Sequence, residues 1–475
     1  MIVPSFTFLA FALLVIVVLH LGRTARWRQA VLLAVNLAFL AYFAARPAAL
    51  LPYAGFLLLG ALGVSARRRL GPWTMWAFPL LVLLVFVWLK RYLFVPQQLL
   101  LPQGYVLVGL SYVFFRVMHL VIDGWESLPR GARGWISYLN YTLNFTSLVS
   151  GPIQYYDDYR RSEQETGRLT GSDAWRAIER VIIGFFKVYV VSAVLHAVQQ
   201  SQVEAFATAD ATEAILHGAA LTALYPVYLY FNFSGYTDFV IGIARFLHLE
   251  LPENFDRPFA SGNFITFWSR WHMTLSNWVK TYVYTPAVLA MMRRASSAKL
   301  EPLIGVAAYF LTFFLVGLWH GQTSEFVFFG FLQGGGVAGN KLYQLGMTRA
   351  LGRGRYHRLT NNTGYAMLMR GVTFTWFAFS VLWFWSSWSQ LASFAERIGV
   401  RGGILALALI LAVAALLLEA LTRLGGWMRR PALWGEGLLE SPYVRLALAL
   451  DMIVIVTFAA LALHAPPSQI VYQRF

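Results

Sequence analysis

The chain has 475 residues, of which 58% are hydrophobic, 16% aromatic and only 13% charged. Soluble domains carry roughly 25% charged residues, and 17 Trp, 23 Tyr and 37 Phe are more apolar surface than one water-soluble core can hide. This excludes a soluble globular enzyme, a disordered chain and a nucleic-acid-binding domain. The formal charge of +16 instead sits in short connections between apolar runs, where basic residues set membrane orientation and meet anionic headgroups.

A spanning helix needs about 20 mostly apolar residues. Such runs lie near 5–22, 29–45, 48–64, 72–89, 103–122, 177–199, 214–247, 301–319, 323–343, 371–388, 403–420 and 446–464. They predict an all-α polytopic membrane protein of about 11–12 spans, with 214–247 long enough for a tilted or broken helix. The first run, Phe6–Leu21, has no basic residue before it and Arg23, Arg26 and Arg28 after it. It reads as a spanning helix rather than a secretory leader. Further basic clusters fall at Arg67/Arg68/Arg69, Arg130/Arg133, Arg349/Arg353/Arg355/Arg358 and Arg429/Arg430. Placing these inside puts the N-terminus outside and keeps the alternation through the first five spans, with Lys90/Arg91 the poorer fit. No repeat or low-complexity linker appears, so 1–475 is expected to form a single membrane-embedded domain. Cysteine is absent, which removes disulfides, thiolate metal sites, a Cys nucleophile and palmitoylation.

Two regions differ from ordinary spans. Residues 123–175 are polar and punctuated by Gly124, Pro129, Gly131, Gly134, Gly151 and Pro152, with a half-apolar piece, Trp135–Ser150, too short for a crossing. In 252–300 a loop, Pro252 to Pro258, precedes FITFWSRWHMTLSNWVKTYV. Ser261 or Asn263 can cap a helix there. Phe264, Trp268, Trp271, Leu275 and Trp278 would form one face, with Arg270, Thr274, Asn277 and Lys280 on the other. That pattern predicts a helix lying in the interface or re-entering the protein, around a wet central cavity.

Nine histidines are the titrating candidates. His20, His217, His248, His357 and His464 sit at span ends or in loops, where an interfacial histidine costs little. His119 and His196 are deeper, and a hydrogen-bonded core histidine accounts for both. His320 lies in a stretch almost free of charge, flanked by Gly317 and Gly321, where a titratable group is functional by default. The bland alternative for it is helix glue through a neighbouring carbonyl. His272, centred among tryptophans, is equally an interfacial histidine and a catalytic one on composition. A general base needs a pKa near working pH and a wet path to its proton. Asp157/Asp158 and Glu163/Glu165 look like a solvated loop rather than a carboxylate pair. Gly334, Gly335 and Gly336 lack the strand context of a nucleotide fingerprint and instead read as permitting close helix packing, and the scattered histidines give no metal-site spacing.

Several segments, in order, resemble the membrane-bound O-acyltransferase (MBOAT) family. These are GLSYVFFRVMHLVID (109–123), SLVSGPIQYYDDY (147–159), YLYFNFSGYTDFVIG (228–242), ENFDRPFASGNFITFWSRWHMTLSNWVKTYVYTP (253–286) and GLWHG (317–321). The likeness is closer to the bacterial branch, which includes the alginate O-acetylation membrane subunit and the teichoic-acid D-alanyl transfer membrane protein. It covers roughly 105–345. It implies that His320 is the family's catalytic histidine and His272 its second active-site polar residue, with Asn277, Ser276, Trp319, Trp268, Asp238 and Asn232 as substrate-binding positions. Asn232 stands where bacterial relatives often carry Asp. After Pro286 the chain reads AVLAMMRR, closer to the D-alanyl transfer branch.

The resemblance further implies acyl transfer at bilayer depth. His320 would take the proton of an acceptor hydroxyl as it attacks an acyl thioester, and His272, with Asn277 or Ser276, would orient the acyl group or stabilise the oxyanion. No tightly bound cofactor or metal is expected. The co-substrate would be a cytoplasmic thioester donor, acetyl-CoA or an acyl-carrier protein. The acceptor would be an extracytoplasmic polysaccharide, reached through a periplasmic or surface acyltransferase partner, in a bacterial inner membrane. D-alanyl transfer from a carrier protein to a cell-wall polymer is the alternative within this chemistry. A lipid or protein acyltransferase is disfavoured because the motifs lean bacterial. A proton-coupled transporter or flippase is the alternative outside it, and would call for inverted repeats, which are not seen.

Overall fold

The computed structural model describes residues 3–22, 24–71, 73–164, 169–294, 300–428 and 441–462. Arg23, Glu165, Arg429, Arg430 and His464 lie outside the described residues. The protein is an all-α polytopic membrane protein, and the described residues contain no strand beyond a single bridge between Phe255 and Trp271. Helices suit the bilayer because each satisfies its own backbone polar groups.

In chain order the elements are α1 (Phe6–Leu21), α2 (Ala25–Tyr42), α3 (Leu51–Arg69), α4 (Thr74–Leu89), α5 (Leu110–His119), α6 (Ala132–Thr142), α7 (Tyr156–Gln164), α8 (Gly171–Phe186), α9 (Ala193–Thr208) and α10 (Ala211–Phe246). Then follow α11 (Phe264–Trp268), α12 (Met273–Val279), α13 (Thr285–Arg294), α14 (Glu301–His320), α15 (Ser324–Leu351), α16 (Arg353–Thr360), α17 (Thr363–Ser380), α18 (Leu382–Trp385), α19 (Trp388–Met428) and α20 (Pro442–Ala462). Short polar side chains start several of them: Ser5 accepts from the Phe8 N–H at 3.0 Å, Thr24 from Trp27 at 3.1 Å and Asn362 from Tyr365 at 3.0 Å. Each satisfies a donor that the first helical turn leaves without a partner.

Among the described residues, seven helical stretches are long and apolar enough to cross a membrane: Pro47–Arg69, Gly171–Thr208, Ala211–Phe246, Glu301–His320, Thr363–Trp385, Trp388–Gly425 and Pro442–Leu461. Phe6–Leu21 and Thr74–Leu89 are shorter apolar helices. Their outward faces are greasy: Leu14 is 63% exposed, Trp76 74% and Phe458 72%. Several of the runs expected among the 11–12 spans are not uniformly apolar helices. The 29–45 run is α2, which opens with Arg26 and Arg28. The 103–122 run contains only the ten residues of α5 before a wider π-helical turn at Leu120–Gly124. The 323–343 run is α15, whose middle carries Gln333, four glycines and Asn340. The 214–247 run is one helix of 36 residues with Pro226 inside it.

By contact the chain sorts into two compact units. The first comprises Met1–Tyr189, Asn232–Glu253 and Ala459–Phe475, and the second Val190–Phe231 and Asn254–Phe458. Within the first, buried Arg116 donates to the Thr142 carbonyl at 2.8 Å, the Ser147 carbonyl at 2.5 Å and the Ser147 hydroxyl at 2.8 Å. The Tyr236 hydroxyl donates to the Gly151 carbonyl at 3.1 Å and accepts the Ser150 N–H at 3.1 Å. At Gly109, with φ of +70°, a Cβ would fall 2.3 Å from the Leu148 carbonyl oxygen. The motif segments 109–123, 147–159 and the part of 228–242 from Asn232 onward are thus knotted together by polar contacts inside this unit.

Within the second unit, α14 and α15 form a hairpin at glycine-limited distance. A Cβ on Gly317 would lie 2.1 Å from the Gly330 Cα, and one on Gly334 would lie 2.6 Å from the Phe310 carbonyl oxygen. Small residues let membrane helices approach this closely. Beside it, α17 meets α19, where Arg370 pairs with Glu419 and Glu419 with Arg423 at 2.7 Å. A groove of about 750 Å³ runs along Leu216–Phe231 of α10, Pro258–Ala260 and Leu409–Leu421 of α19. Its walls are apolar rather than wet, and neither His272 nor His320 lines it.

Candidate active site

The region expected as one continuous amphipathic helix is broken at its histidine. Asn263 caps α11, its Oδ1 accepting from the Thr266 N–H at 2.8 Å. The helix ends at Trp268, and α12 begins only at Met273. Between them His272 takes left-handed backbone geometry, φ 45° and ψ 53°, a conformation that costs a non-glycine residue roughly 1–2 kcal/mol.

Asn254 is what holds the break. It is fully buried, and its Oδ1 accepts from the Thr274 N–H at 3.2 Å and from the Thr274 hydroxyl at 2.9 Å. The same oxygen lies 3.1 Å from His272 Nδ1. Its carbonyl accepts the Met273 N–H at 2.9 Å. The neighbouring Phe255–Trp271 bridge aligns the loop before α11 with the break. Sequence reasoning missed Asn254. The signal available was an amide two residues into a Pro-bounded loop, a residue type that hydrogen-bonds backbone groups.

The same contacts fix the chemistry of His272. The Thr274 N–H can only donate, so the Asn254 atom facing it is the oxygen. His272 Nδ1 must then carry the proton and donate. Burial pushes the His272 pKa down to about 3, opposed in part by a backbone hydrogen bond, so the ring is neutral near pH 7. In that tautomer Nε2 is an acceptor.

His320 is the last residue of α14, and extended Gly321 follows it. It is buried, with ring centroids at 4.7 Å from Trp319, 5.2 Å from Phe384 and 5.9 Å from Phe329. Trp319 also lies 6.4 Å from the His272 ring. One indole therefore borders both imidazoles. Trp268 is buried in the same unit with its ring 5.0 Å from Phe313 of α14.

The other positions singled out in the sequence divide. Ser276 is half-buried and its hydroxyl donates to the Trp271 carbonyl at 3.4 Å, while Asn277 is exposed on α12. Thr274, expected on the polar face, is buried against Asn254. Asn232 and Asp238 belong to the first unit. Asn232 is fully buried there, and Asp238 holds Arg180 at 3.0 Å and Lys187 at 2.6 Å.

A model of the membrane-bound O-acyltransferase family matches residues 126–384, over half of the chain. Teichoic acid D-alanyltransferase of Bacillus subtilis is 30% identical over 230 residues, 47% of this chain and 56% of that protein. The corresponding protein of Streptococcus thermophilus is 26% identical over 239 residues, 49% of this chain and 56% of that protein. The probable alginate O-acetylase AlgI of Pseudomonas fluorescens is 28% identical over 287 residues, 60% of this chain and 52% of that protein. The chain spans about half the length of the curated relatives it matches. His272, Trp319 and His320 all fall inside the family match, and the chain belongs to the membrane-bound O-acyltransferase family.

Proposed function

We propose that this membrane protein moves an acyl group, acetyl in the first reading, from a cytoplasmic thioester donor to a hydroxyl of an extracytoplasmic polysaccharide, directly or through a periplasmic or surface partner that acylates it. The donor is acetyl-CoA or an acyl-carrier protein. The setting is a bacterial cytoplasmic membrane with the N-terminus outside, in line with the bacterial relatives and the basic clusters.

The observation that carries this reading is the Trp319–His320 pair at the buried end of α14, with the same indole bordering His272. His320 takes the acceptor's hydroxyl proton as its oxygen bonds to the thioester carbonyl carbon. The tetrahedral intermediate collapses, the C–S bond breaks, and His320 returns the proton to the departing thiolate. His272 serves as a neutral acceptor that orients the hydroxyl. Its tautomer suits that role better than oxyanion stabilisation, because the one N–H it has is directed at Asn254. Trp319 and Trp268 form apolar walls that keep water from the thioester.

D-alanyl transfer to a cell-wall polymer is the second reading, favoured by the 30% identity to the Bacillus subtilis D-alanyltransferase. Mild alkaline release of ester-linked acids from the surface glycans of host cells, with and without the gene, separates the two. Gene-dependent acetate supports the first reading and gene-dependent D-alanine the second. No gene-dependent ester refutes both.

A further inference from the structure

Two basic clusters that are distant in sequence come together in the first unit. Arg68 and Arg69 end α3, and Arg130 precedes α6; all three line a cavity of about 490 Å³. Among the described residues none of the three takes part in an ion pair, and no carboxylate lines the cavity. Arg68 is held in place by the Trp125 carbonyl at 2.6 Å and by the Leu128 carbonyl. Arg69 and Arg130 are exposed. The cavity also takes in Gly131, which starts α6 without a side-chain cap, so the first N–H groups of that helix add positive potential. Membrane orientation alone accounts for basic residues near one side. It does not account for three guanidiniums converging on one hollow with no counter-charge.

The rest of the wall is of another character. Val64 and half-exposed Trp135 give it an apolar flank, and tryptophan favours the headgroup level of a bilayer. A guanidinium pairs with phosphate through parallel hydrogen bonds. We infer that this cavity is a binding site for a phosphate ester, the headgroup phosphate of an anionic phospholipid, seated on Arg68, Arg69 and Arg130 with its chains along Val64 and Trp135. The site is separate from the histidines and does not depend on the acyl-transfer reading.

The test uses the full-length protein, delipidated in detergent and titrated by native mass spectrometry. The probes are phosphatidylglycerol, phosphatidylcholine and inorganic phosphate. One phosphatidylglycerol should bind in preference to phosphatidylcholine, and the R69Q/R130Q double variant should lose roughly tenfold in that affinity. Both residues are exposed and unpaired, so the variant should keep its melting temperature. As a control, R293Q/R294Q at the end of α13 should leave binding unchanged. Displacement of the lipid by millimolar inorganic phosphate would keep the phosphate site but assign it to a soluble phosphate ester. Equal binding of the two lipids without any effect of phosphate, or an equal loss in the control variant, would overturn the proposal.

Discussion

His272 shows how a histidine's tautomer follows from its partners rather than its type. Its ring is neutral when folded because burial holds its pKa near 3, whereas an imidazole in the unfolded chain takes up a proton below about 6.5. Between those values the unfolded state binds more protons, so stability falls as pH falls, by about 1.4 kcal/mol per pH unit for this group. Thermal unfolding of H272Q in detergent should therefore depend less steeply on pH between 7 and 5 than that of the wild type. Parallel slopes would show that His272 is not kept neutral by the fold. His320 stands out in the sequence as a candidate because a titratable side chain in a charge-free stretch is costly. The tautomer of His272 was not, because it depends on Asn254, which only the folded loop brings to it.

At the scale of elements, the α14–α15 hairpin positions His320, and its geometry rests on glycines. G317A would drive a methyl group into the Gly330 backbone, and overpacking of this kind costs about 1–3 kcal/mol. G335A meets nothing within 4 Å and should be neutral or stabilising by up to about 1 kcal/mol, as alanine is the better helix former. Melting temperatures of the two variants test this, and equal shifts would contradict the close crossing. The sequence pattern anticipated the small residues as packing devices. It misjudged the histidine-bearing helix, because period-3.6 spacing of Trp268, Trp271, Leu275 and Trp278 fits one helix and fits two short ones nearly as well. The break is imposed by Asn254 and the Phe255–Trp271 bridge, contacts that periodicity does not encode.

Over the whole molecule, hydropathy was enough to identify an all-α membrane protein, since spans announce themselves by length and apolarity. It did not resolve the interior of runs such as 103–122, which fold into short helices and π-turns around buried polar groups such as Arg116. Orientation can be read directly, because the chain has no native cysteine. A cysteine at exposed Leu70, beside the arginines ending α3, should react with an impermeant maleimide only after the membrane is opened. One at exposed Phe94 should react in intact spheroplasts. The reverse pattern would invert the proposed topology and with it the sides assigned to donor and acceptor.

The proposed mechanism rests on His320 performing the proton transfer. The direct measurement is H320A, expressed at wild-type level and shown to keep its melting temperature, followed by quantification of ester-linked acyl groups on the host's surface glycan. A general base contributes about 10²–10⁴-fold to rate, so the ester should fall to the level of cells lacking the gene. Wild-type esterification in a folded H320A protein would contradict it and reduce His320 to a packing residue of the α14–α15 hairpin.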